Sequence, residues 1–314
     1  MNTATENILV IKLSALGDFI QALGPMHAIR KHHPNAQITL LTTKAFQKFA
    51  AQCGYFNDIW IDEKPSWANP LKILAFRNKL NSARFTRIYD LQNNDRTSLY
   101  FKLLKRPKPE WVGTAKGASH RNTSPHRTAG HAFDGHVQTL ALAGITDIHI
   151  DRLAWMETDI SQFDALKRPY ALLVPGCAAA HPYKRWPAQH YAALAHDLIK
   201  AGIQPVLIGT QEDKIATDEI AATCPRALNL NSQTSLPQIA TLARGARIAI
   251  GNDTGPMHLI AATGRPCVSL FSGHTNPVKH APKGDNITVL QEDNLDNMPP
   301  ETVIATVHKL LDQN

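Results

Sequence analysis

Residues 7–42 read "NILVIKLSALGDFIQALGPMHAIRKHHPNAQITLLT" and contain one complete strand–helix–strand repeat. The apolar runs at 7–13 and 37–42 have the length of buried strands, and the segment 19–33 between them carries apolar residues at helical spacing. Two neighbouring parallel strands need a long crossover connection, which is usually a helix. This stretch therefore predicts an α/β protein with a parallel sheet.

The same alternation continues through both halves of the 314 residues. Further strands are predicted at 58–62, 87–92, 170–176, 204–209, 226–230, 247–252 and 266–273. Further helices are predicted at 67–82, 96–105, 187–201, 213–222, 235–244 and 256–263. The alternation fades at 151–168, so we predict two doubly wound, Rossmann-like domains, 1–155 and 156–314, that face each other across a cleft and bind ligands beyond the carboxyl ends of their strands. The segment 300–314 is expected to form a helix that can pack back on the first domain.

Charge is divided unevenly between the two halves. Residues 1–150 hold 19 lysines and arginines against 10 aspartates and glutamates, a net charge of +9, whereas residues 151–314 hold 14 against 16, a net charge of −2. The basic runs at 64–89 and 102–131 fit either a solvated face or an anionic partner, such as a phosphorylated acceptor or an acidic membrane surface. Nucleic acid is disfavoured because no recognised binding motif accompanies these runs.

Several other classes are disfavoured by what the sequence lacks. The apolar runs are shorter than the ~20 residues of a membrane span, and residues 1–20 have no basic leader of the kind that begins a secretory signal. We therefore expect a cytoplasmic protein whose four cysteines are reduced. The chain contains neither H-E-x-x-H nor D-x-D, so we expect no metal ion and no cofactor.

Asp18 stands where the first apolar run passes through Gly17 into the helical segment. A carboxylate at a helix start can accept hydrogen bonds from free backbone amides and suits the positive end of the helix dipole. The same position also suits a general base that points into the expected cleft and takes a proton from an acceptor hydroxyl. Spacing alone leaves both roles open, while the missing G-x-G-x-x-G disfavours a dinucleotide site.

The stretch "GNDTGPMHLIAATG", residues 251–264, has the pattern of a strand end that leads into a helix. Pro256 suits the first helical turn, and Gly264 can end the helix. Free amides at such a helix start form a ready site for a phosphate or diphosphate. The alternative is an ordinary helix capped by Asp253 or Thr254.

Two more loops of the second half follow predicted strands. Lys184 and Arg185, in "PGCAAAHPYKRWP" (175–187), precede a helix start, and either could bind phosphate oxygens. Glu212, in "IGTQEDK" (208–214), could bind ribose or sugar hydroxyls. Ordinary surface charge and helix capping are the alternatives for these residues.

Four stretches of the sequence, 10–42, "DLQNNDRTSLY" (90–100), 175–187 and 251–271, together resemble glycosyltransferase family 9, the lipopolysaccharide heptosyltransferases. The resemblance covers residues 7–275, and its most specific parts are S-x-L-G-D at 14–18 and D-T-G-x-x-H at 253–258. It implies the GT-B fold, an ADP-heptose donor on the second domain, and an anionic Kdo–lipid A or inner-core acceptor on the first. The basic first half suits such an acceptor.

Carried over residue by residue, the resemblance implies a catalytic and a binding role for particular side chains. Asp18 matches the proposed catalytic base, whereas Ala178, Ala179 and Ala180 replace hydroxyl residues that some members have near the donor phosphates. The implied donor-binding residues are Lys184, Arg185, Glu212, Asp253, Thr254, Gly255 and His258. The expected acceptor-binding residues are Arg96, Lys116, Arg121 and Arg127.

The sequence thus predicts an inverting, metal-independent heptosyltransferase on the cytoplasmic face of the inner membrane, with Asp18 as general base. The alternatives are a transferase or epimerase of the same fold that uses another nucleotide sugar, and a non-catalytic sugar-nucleotide-binding or lipid A-binding module. An epimerase should act without an acceptor, and the retained Asp18 disfavours a module without activity.

Overall fold

The computed structural model describes residues 6–65 and 68–313. The chain divides into two compact units, Met1–Asp151 and Arg152–Asn314. The boundary lies at the start of the segment 151–168, where the sequence alternation fades. Each unit contains one six-stranded parallel sheet with helices between its strands.

In the first unit the sheet order is β3-β2-β1-β4-β5-β6. Its strands are β1 (Asn7–Ile11), β2 (Gln37–Thr42), β3 (Asp58–Ile61), β4 (Arg87–Asp90), β5 (Glu110–Gly113) and β6 (His120–Arg121). Its helices are α1 (Leu16–His32), α2 (Lys44–Gln52), α3 (Pro70–Ser82), α4 (Asp95–Leu103), α5 (His126–Ala129) and α6 (Ala132–Ala141). Strand β1 is buried from Ile8 to Ile11, as expected for a central strand covered on both faces.

In the second unit the sheet order is β12-β11-β10-β7-β8-β9. Its strands are β7 (Tyr170–Val174), β8 (Gln204–Leu207), β9 (Leu228–Asn229), β10 (Ile248–Asn252), β11 (Cys267–Ser272) and β12 (Ile287–Glu292). Its helices are α7 (Ala188–Lys200), α8 (Lys214–Thr223), α9 (Leu236–Gly245), α10 (Gly255–Ala262), α11 (Pro277–His280) and α12 (Pro300–Asp312). Short 3-10 helices lie at Ala154–Met156, Pro182–Lys184, Gln211–Asp213 and Leu295–Asn297.

Most predicted elements are present, with shifted ends. Helix α1 begins at Leu16 rather than at 19, so Asp18 lies within its first turn. The helix predicted at 67–82 is observed as Pro70–Ser82, and Trp67 lies outside the described residues. The terminal helix α12 buries Val303 and Val307 in the core of the second unit.

Candidate functional site

The topological switch point of the first unit lies between β1 and β4, which are neighbours in the sheet. The two strands are far apart in sequence, since Lys12, which follows β1, stands 79 positions before Leu91, which follows β4. Connections leave these two strands toward opposite sides, which opens a crevice at their carboxyl ends. Lys12 directly follows β1, and Asp90 is the last residue of β4. Both side chains are buried, with 5% and 0% exposure.

Asp18 belongs to this crevice. It is the third residue of α1, is half-buried, and its carboxylate accepts a hydrogen bond from the backbone N–H of Ala15 at 3.4 Å. The N-cap position itself is occupied by Ala15, so Asp18 is not the N-cap residue. A single long hydrogen bond leaves most of the acceptor capacity of a carboxylate for other partners.

Sequence reasoning did not single out three further titratable groups, Lys12, Asp90 and His136, of which Lys12 interacts electrostatically with the other two and with Asp18. Burial lowers the pKa of Lys12, while the charges of Asp18 and Asp90 act in the opposite direction. Burial raises the pKa of Asp90 to about 6, against the hydrogen bonds from the amides of Gln92 and Asn93 and the charge of Lys12. Burial together with Lys12 and Arg127 lowers the pKa of His136 well below its usual value.

The predicted acceptor-binding residues fall into different places in the first unit. Arg127, on the short helix α5, is half-buried and acts electrostatically on His136, as Lys12 does. Arg121, on the edge strand β6, is exposed and donates to the carbonyl oxygen of Thr114 at 3.3 Å. Lys116 is exposed in the loop between β5 and β6. Arg96, on α4, hydrogen-bonds with Tyr100, whose hydroxyl also donates to Asp62.

The second unit has its switch point between β7 and β10. Asn252, the last residue of β10, is fully buried there and ties the two loops together. Its Nδ2 donates to the carbonyl oxygen of Pro175 at 2.7 Å, and its Oδ1 accepts from the N–H of Trp186 at 3.2 Å and from the hydroxyl of Tyr191 at 3.0 Å. The loop after β7 and the loop after β10 therefore keep a fixed relative position.

This fixed arrangement brings Lys184 and Asp253 together. The Nζ of Lys184 lies 2.6 Å from Oδ2 of Asp253, and their side chains are 18% and 7% exposed. A hydrogen-bonded ion pair of this kind is stronger than a surface pair because little water screens it. Two residues that are 69 positions apart in sequence thus form one charged subsite.

Helix α10 begins beside this pair. Thr254 is its N-cap residue in an extended conformation, and Gly255 and Pro256 form its first turn. The side chain of Thr254 makes no capping hydrogen bond within the described residues, so the first amides of the helix are not satisfied by that hydroxyl. His258 is one turn further along and is buried.

The carboxylate of Asp213 forms a second charged group in this unit. Arg185 is its ionic neighbour, and Glu212 precedes it in the chain. The guanidinium of Arg185 lies 3.6 Å from Asp213, whose other carboxylate oxygen accepts from the N–H and the hydroxyl of Thr210, both at 2.9 Å. Glu212 is exposed, whereas the adjacent Asp213 is buried. A Cβ atom on Gly176 would come within 2.2 to 2.4 Å of the Asp213 carboxylate, so the loop after β7 needs glycine at this point.

Within residues 6–65 and 68–313 no three His, Cys, Asp or Glu side chains lie together in a way that could hold a metal ion. None of the described helices combines the length and the apolar character that a membrane crossing requires.

Two doubly wound parallel sheets, each with polar groups at its switch point, have the architecture of the predicted GT-B fold. The solved structure of Escherichia coli ADP-heptose LPS heptosyltransferase II superimposes on this chain with a TM-score of 0.74 at 24% identity, covering 98% of this chain and 99% of that one. This match confirms the fold.

The model of glycosyltransferase family 9 (heptosyltransferase) matches residues 73–308, and the chain belongs to this family. Lipopolysaccharide heptosyltransferase 2 of Salmonella typhimurium is 33% identical over 169 residues, which are 47% of this chain and 48% of that protein. The lipopolysaccharide core heptosyltransferase OpsX of Haemophilus influenzae is 23% identical over 307 residues, 93% of this chain and 86% of that protein. The chain thus spans about half the length of the first of these relatives.

Proposed function

We propose that this chain is an inverting heptosyltransferase of lipopolysaccharide core synthesis. It moves a heptose from ADP-heptose to a Kdo or inner-core sugar linked to lipid A. Family membership and the names of the relatives support the class of reaction. The observation that carries the mechanism is the half-buried carboxylate of Asp18 in the first turn of α1, at the switch point of its sheet.

In the proposed reaction Asp18 takes the proton of an acceptor hydroxyl. The oxygen of that hydroxyl forms a bond to the anomeric carbon of heptose while the bond from this carbon to the diphosphate oxygen breaks. The bonding electrons leave with ADP, the proton stays on Asp18, and one displacement inverts the anomeric centre. Lys184, Arg185 and the first amides of α10 meet the charge that develops on the leaving diphosphate.

The pair of Lys184 and Asp253 suits donor binding because each partner meets a different part of the donor. A diphosphate offers Lys184 a stronger anionic partner, and Asp253 then accepts hydrogen bonds from hydroxyls of the heptose. Thr254, Gly255 and His258 complete this subsite, and Glu212 accepts from hydroxyls of the ribose. The ion pair holds both side chains in position before the donor arrives.

We also propose that turnover requires no divalent ion and no other cofactor. Lys184, Arg185 and the start of α10 supply the positive charge that a metal ion supplies in other transferases. Transfer should therefore continue in the presence of excess chelator. Complete loss of transfer on chelation, with recovery on adding magnesium or manganese, would contradict this proposal.

The acceptor belongs to the basic first unit in this proposal. Arg96, Lys116, Arg121 and Arg127 bind phosphate or carboxylate groups of the acceptor, which is borne by the cytoplasmic face of the inner membrane. The net charge of +9 in residues 1–150 supports an anionic partner on this half. Arg127 is half-buried, and its positive charge, like that of Lys12, acts on the buried His136.

Substitution of Asp18 by asparagine tests the mechanism. Asp18→Asn should bind ADP-heptose as the wild type does, because the donor residues lie in the second unit, and should lose transfer by about 100- to 10,000-fold. Asp134→Asn is the matched control, because Asp134 is exposed at the same third position of helix α6. Transfer by Asp18→Asn within threefold of the wild type would exclude Asp18 as general base.

A further inference from the structure

Helix α3 contributes little to the core of its unit. Among its 13 residues only Leu80 is buried, while Ile73 and Phe76 are half-buried. Its outward side carries Leu71 and Leu74, which are 77% and 47% exposed. Because residues three apart lie on one side of a helix, these two leucines form a continuous apolar strip.

Cations border this strip on both sides. Seven residues separate Lys72 from Lys79, so they lie on one flank of the strip, and Arg77 lies on the other. The sequence from 64 to 89 contains six lysines and arginines and no aspartate or glutamate. Glu63 lies 4.0 Å from Lys72, but both side chains are more than half exposed, so this pair leaves the basic character of the surface in place.

An apolar groove runs beside the strip. It has a volume of about 190 Å³ and lies between α3 and the segment after β3. Ile61, Pro65, Ala75 and Phe76 line it, and Lys72, Lys79 and Glu63 form its rim. The Nζ of Lys79 also lies 4.2 Å from the ring centre of Trp60, which holds this cation near the groove. Apolar floor and cationic rim are the two features that an anionic lipid requires.

We propose that α3 is the element through which this protein docks on a bilayer of anionic phospholipid. Leu71 and Leu74 lie below the level of the head groups, and Lys72, Arg77 and Lys79 lie among their phosphates. With 13 residues the helix is too short to cross the ~30 Å of a hydrocarbon core, so it lies in the plane of the interface. This docking role rests on the proposed function in one respect, because it presupposes an acceptor that is held by the membrane.

The charge pattern favours a lipid surface over a protein partner. A bilayer with anionic head groups is a uniform plane of negative charge above hydrocarbon, and each lysine or arginine close to it adds to the attraction. A strip of two leucines with cations on both flanks matches this arrangement, because the leucines can enter the hydrocarbon while the cations meet the anionic head groups. A protein partner would need an apolar pocket enclosed by acidic groups at matching positions, and it becomes one outcome of the experiment.

The test measures co-sedimentation of the full chain with vesicles of phosphatidylethanolamine and phosphatidylglycerol, compared with vesicles of phosphatidylcholine alone. The wild type should sediment with the first and stay in solution with the second. Leu71→Ser with Leu74→Ser should lower the partition coefficient by at least about tenfold, because two apolar side chains lose their burial. Lys72→Gln with Lys79→Gln should lower it by about fivefold per charge.

Matched controls are available on the second unit. Ile215 and Val278 are 85% and 64% exposed, and Lys200 and Lys309 are exposed as well. Ile215→Ser with Val278→Ser, and Lys200→Gln with Lys309→Gln, should sediment as the wild type does. As a direct readout of depth, phosphatidylglycerol with brominated acyl chains should quench the emission that Leu71→Trp adds to that of the five native tryptophans, whereas the emission that Ile215→Trp adds should not be quenched.

Transfer to a deacylated, water-soluble acceptor separates this proposal from the proposed function. The variant Leu71→Ser with Leu74→Ser should keep wild-type transfer to that acceptor, whereas Asp18→Asn should bind vesicles normally and fail to transfer. Equal sedimentation of the leucine variant and the wild type would overturn the docking role of α3. A wild type that binds no anionic vesicle would do the same and would leave a protein partner as the occupant of this surface.

Discussion

The sequence predicts only part of the site in the first unit. It indicates Asp18 but neither Lys12 nor Asp90. Asp18 was predicted because it lies in a loop between a strand and a helix, where local pattern indicates exposure to a ligand. Lys12 and Asp90 lie at the ends of apolar runs and look like ordinary strand residues. Their closeness depends on the pairing of β1 with β4, which brings Ile11 opposite Asp90 across the sheet. Local sequence does not encode that register.

Asp90 should make the stability of the protein depend on pH. Burial raises the pKa of this carboxyl from 3.8 to about 6, so the folded state holds the proton more tightly than the unfolded chain. The free energy of unfolding should therefore fall by about 2 kcal/mol as pH rises from 4 to 6, and the contribution of Asp90 should level off near pH 7.

Asp90→Asn removes this titration and provides the comparison. Chemical denaturation of the wild type and of Asp90→Asn at intervals between pH 4 and 7 gives the difference in their free energies of unfolding. That difference should change along the same interval and become constant near pH 7. A constant difference over the whole range would show that Asp90 has the same pKa in the folded and the unfolded protein.

At the scale of elements, the sequence predicts segments with a strong apolar pattern well, and it does not predict segments without one. The predicted strands and helices around both switch points are present, because buried central strands read as continuous apolar runs. The sequence did not predict helices α2, α5, α6 and α11 or strands β5, β6 and β12. Strand β12 is a half-buried edge strand, and β5 has only four residues, so neither produces a strong pattern. Tertiary packing rather than propensity decides such elements.

The loop that contains Glu212 illustrates the same limit, while the binding role of Glu212 stays a prediction. The sequence offers two adjacent carboxylates, and the motif resemblance favoured Glu212. The structure gives Asp213 the buried position, with Thr210 as donor and Arg185 as ionic neighbour. The signal that was available is the spacing of Thr210 and Asp213, three residues apart, which is typical of a capping box. Asp213 therefore organises the loop that presents Glu212.

At Gly24, packing and helix propensity have opposite effects on the free energy of unfolding when alanine replaces glycine. Gly24 lies inside α1, where alanine is ordinarily favoured over glycine by about 1 kcal/mol. A Cβ atom at this position would lie 2.0 Å from the carbonyl oxygen of His149, which is backbone and does not move easily. Gly24→Ala should therefore lower the free energy of unfolding by about 1–3 kcal/mol.

Chemical denaturation measures this change. Gly130→Ala is the control, because no heavy atom lies within 4 Å of a Cβ atom at that position. That variant should lie within about 0.5 kcal/mol of the wild type. A Gly24→Ala variant more stable than the wild type would contradict the close approach of α1 to the backbone of His149.

For the whole molecule, the sequence predicted two doubly wound units of similar size, and the structure contains them. The predicted boundary at 155 and the observed one at 151 differ because the segment after Asp151 lacks regular structure apart from the short 3-10 helix at Ala154–Met156. Arg152 and Leu153 belong to the second unit, where Arg152 pairs with Asp285 and the carbonyl oxygen of Leu153 accepts from Arg244. Such contacts are invisible in a sequence because their partners are distant in the chain.

The division of charge between the units leads to a prediction about salt. If the unit with net charge +9 receives an anionic acceptor, its exposed cations attract that acceptor over long range, whereas the donor is held by the partly buried pair of Lys184 and Asp253. Exposed charges are screened over about 8 Å at physiological ionic strength and over about 3 Å at 1 M salt. The KM for the acceptor should therefore rise steeply with salt, and the KM for the donor should change much less.

Replacing Arg121 and Arg127 together by alanine should reproduce the effect of high salt. The KM for the acceptor should rise, with Arg127 contributing more because it is half-buried and acts electrostatically on the buried His136, and the KM for the donor should stay within twofold. Lys167→Ala with Lys200→Ala removes two exposed cations of the second unit and should change neither constant. Steady-state kinetics with each substrate varied in turn, from 0.05 to 1 M salt, measures both effects. A flat acceptor KM in the salt series and in the arginine variant would mean that the basic runs of the first unit are solvated surface and that the acceptor binds elsewhere.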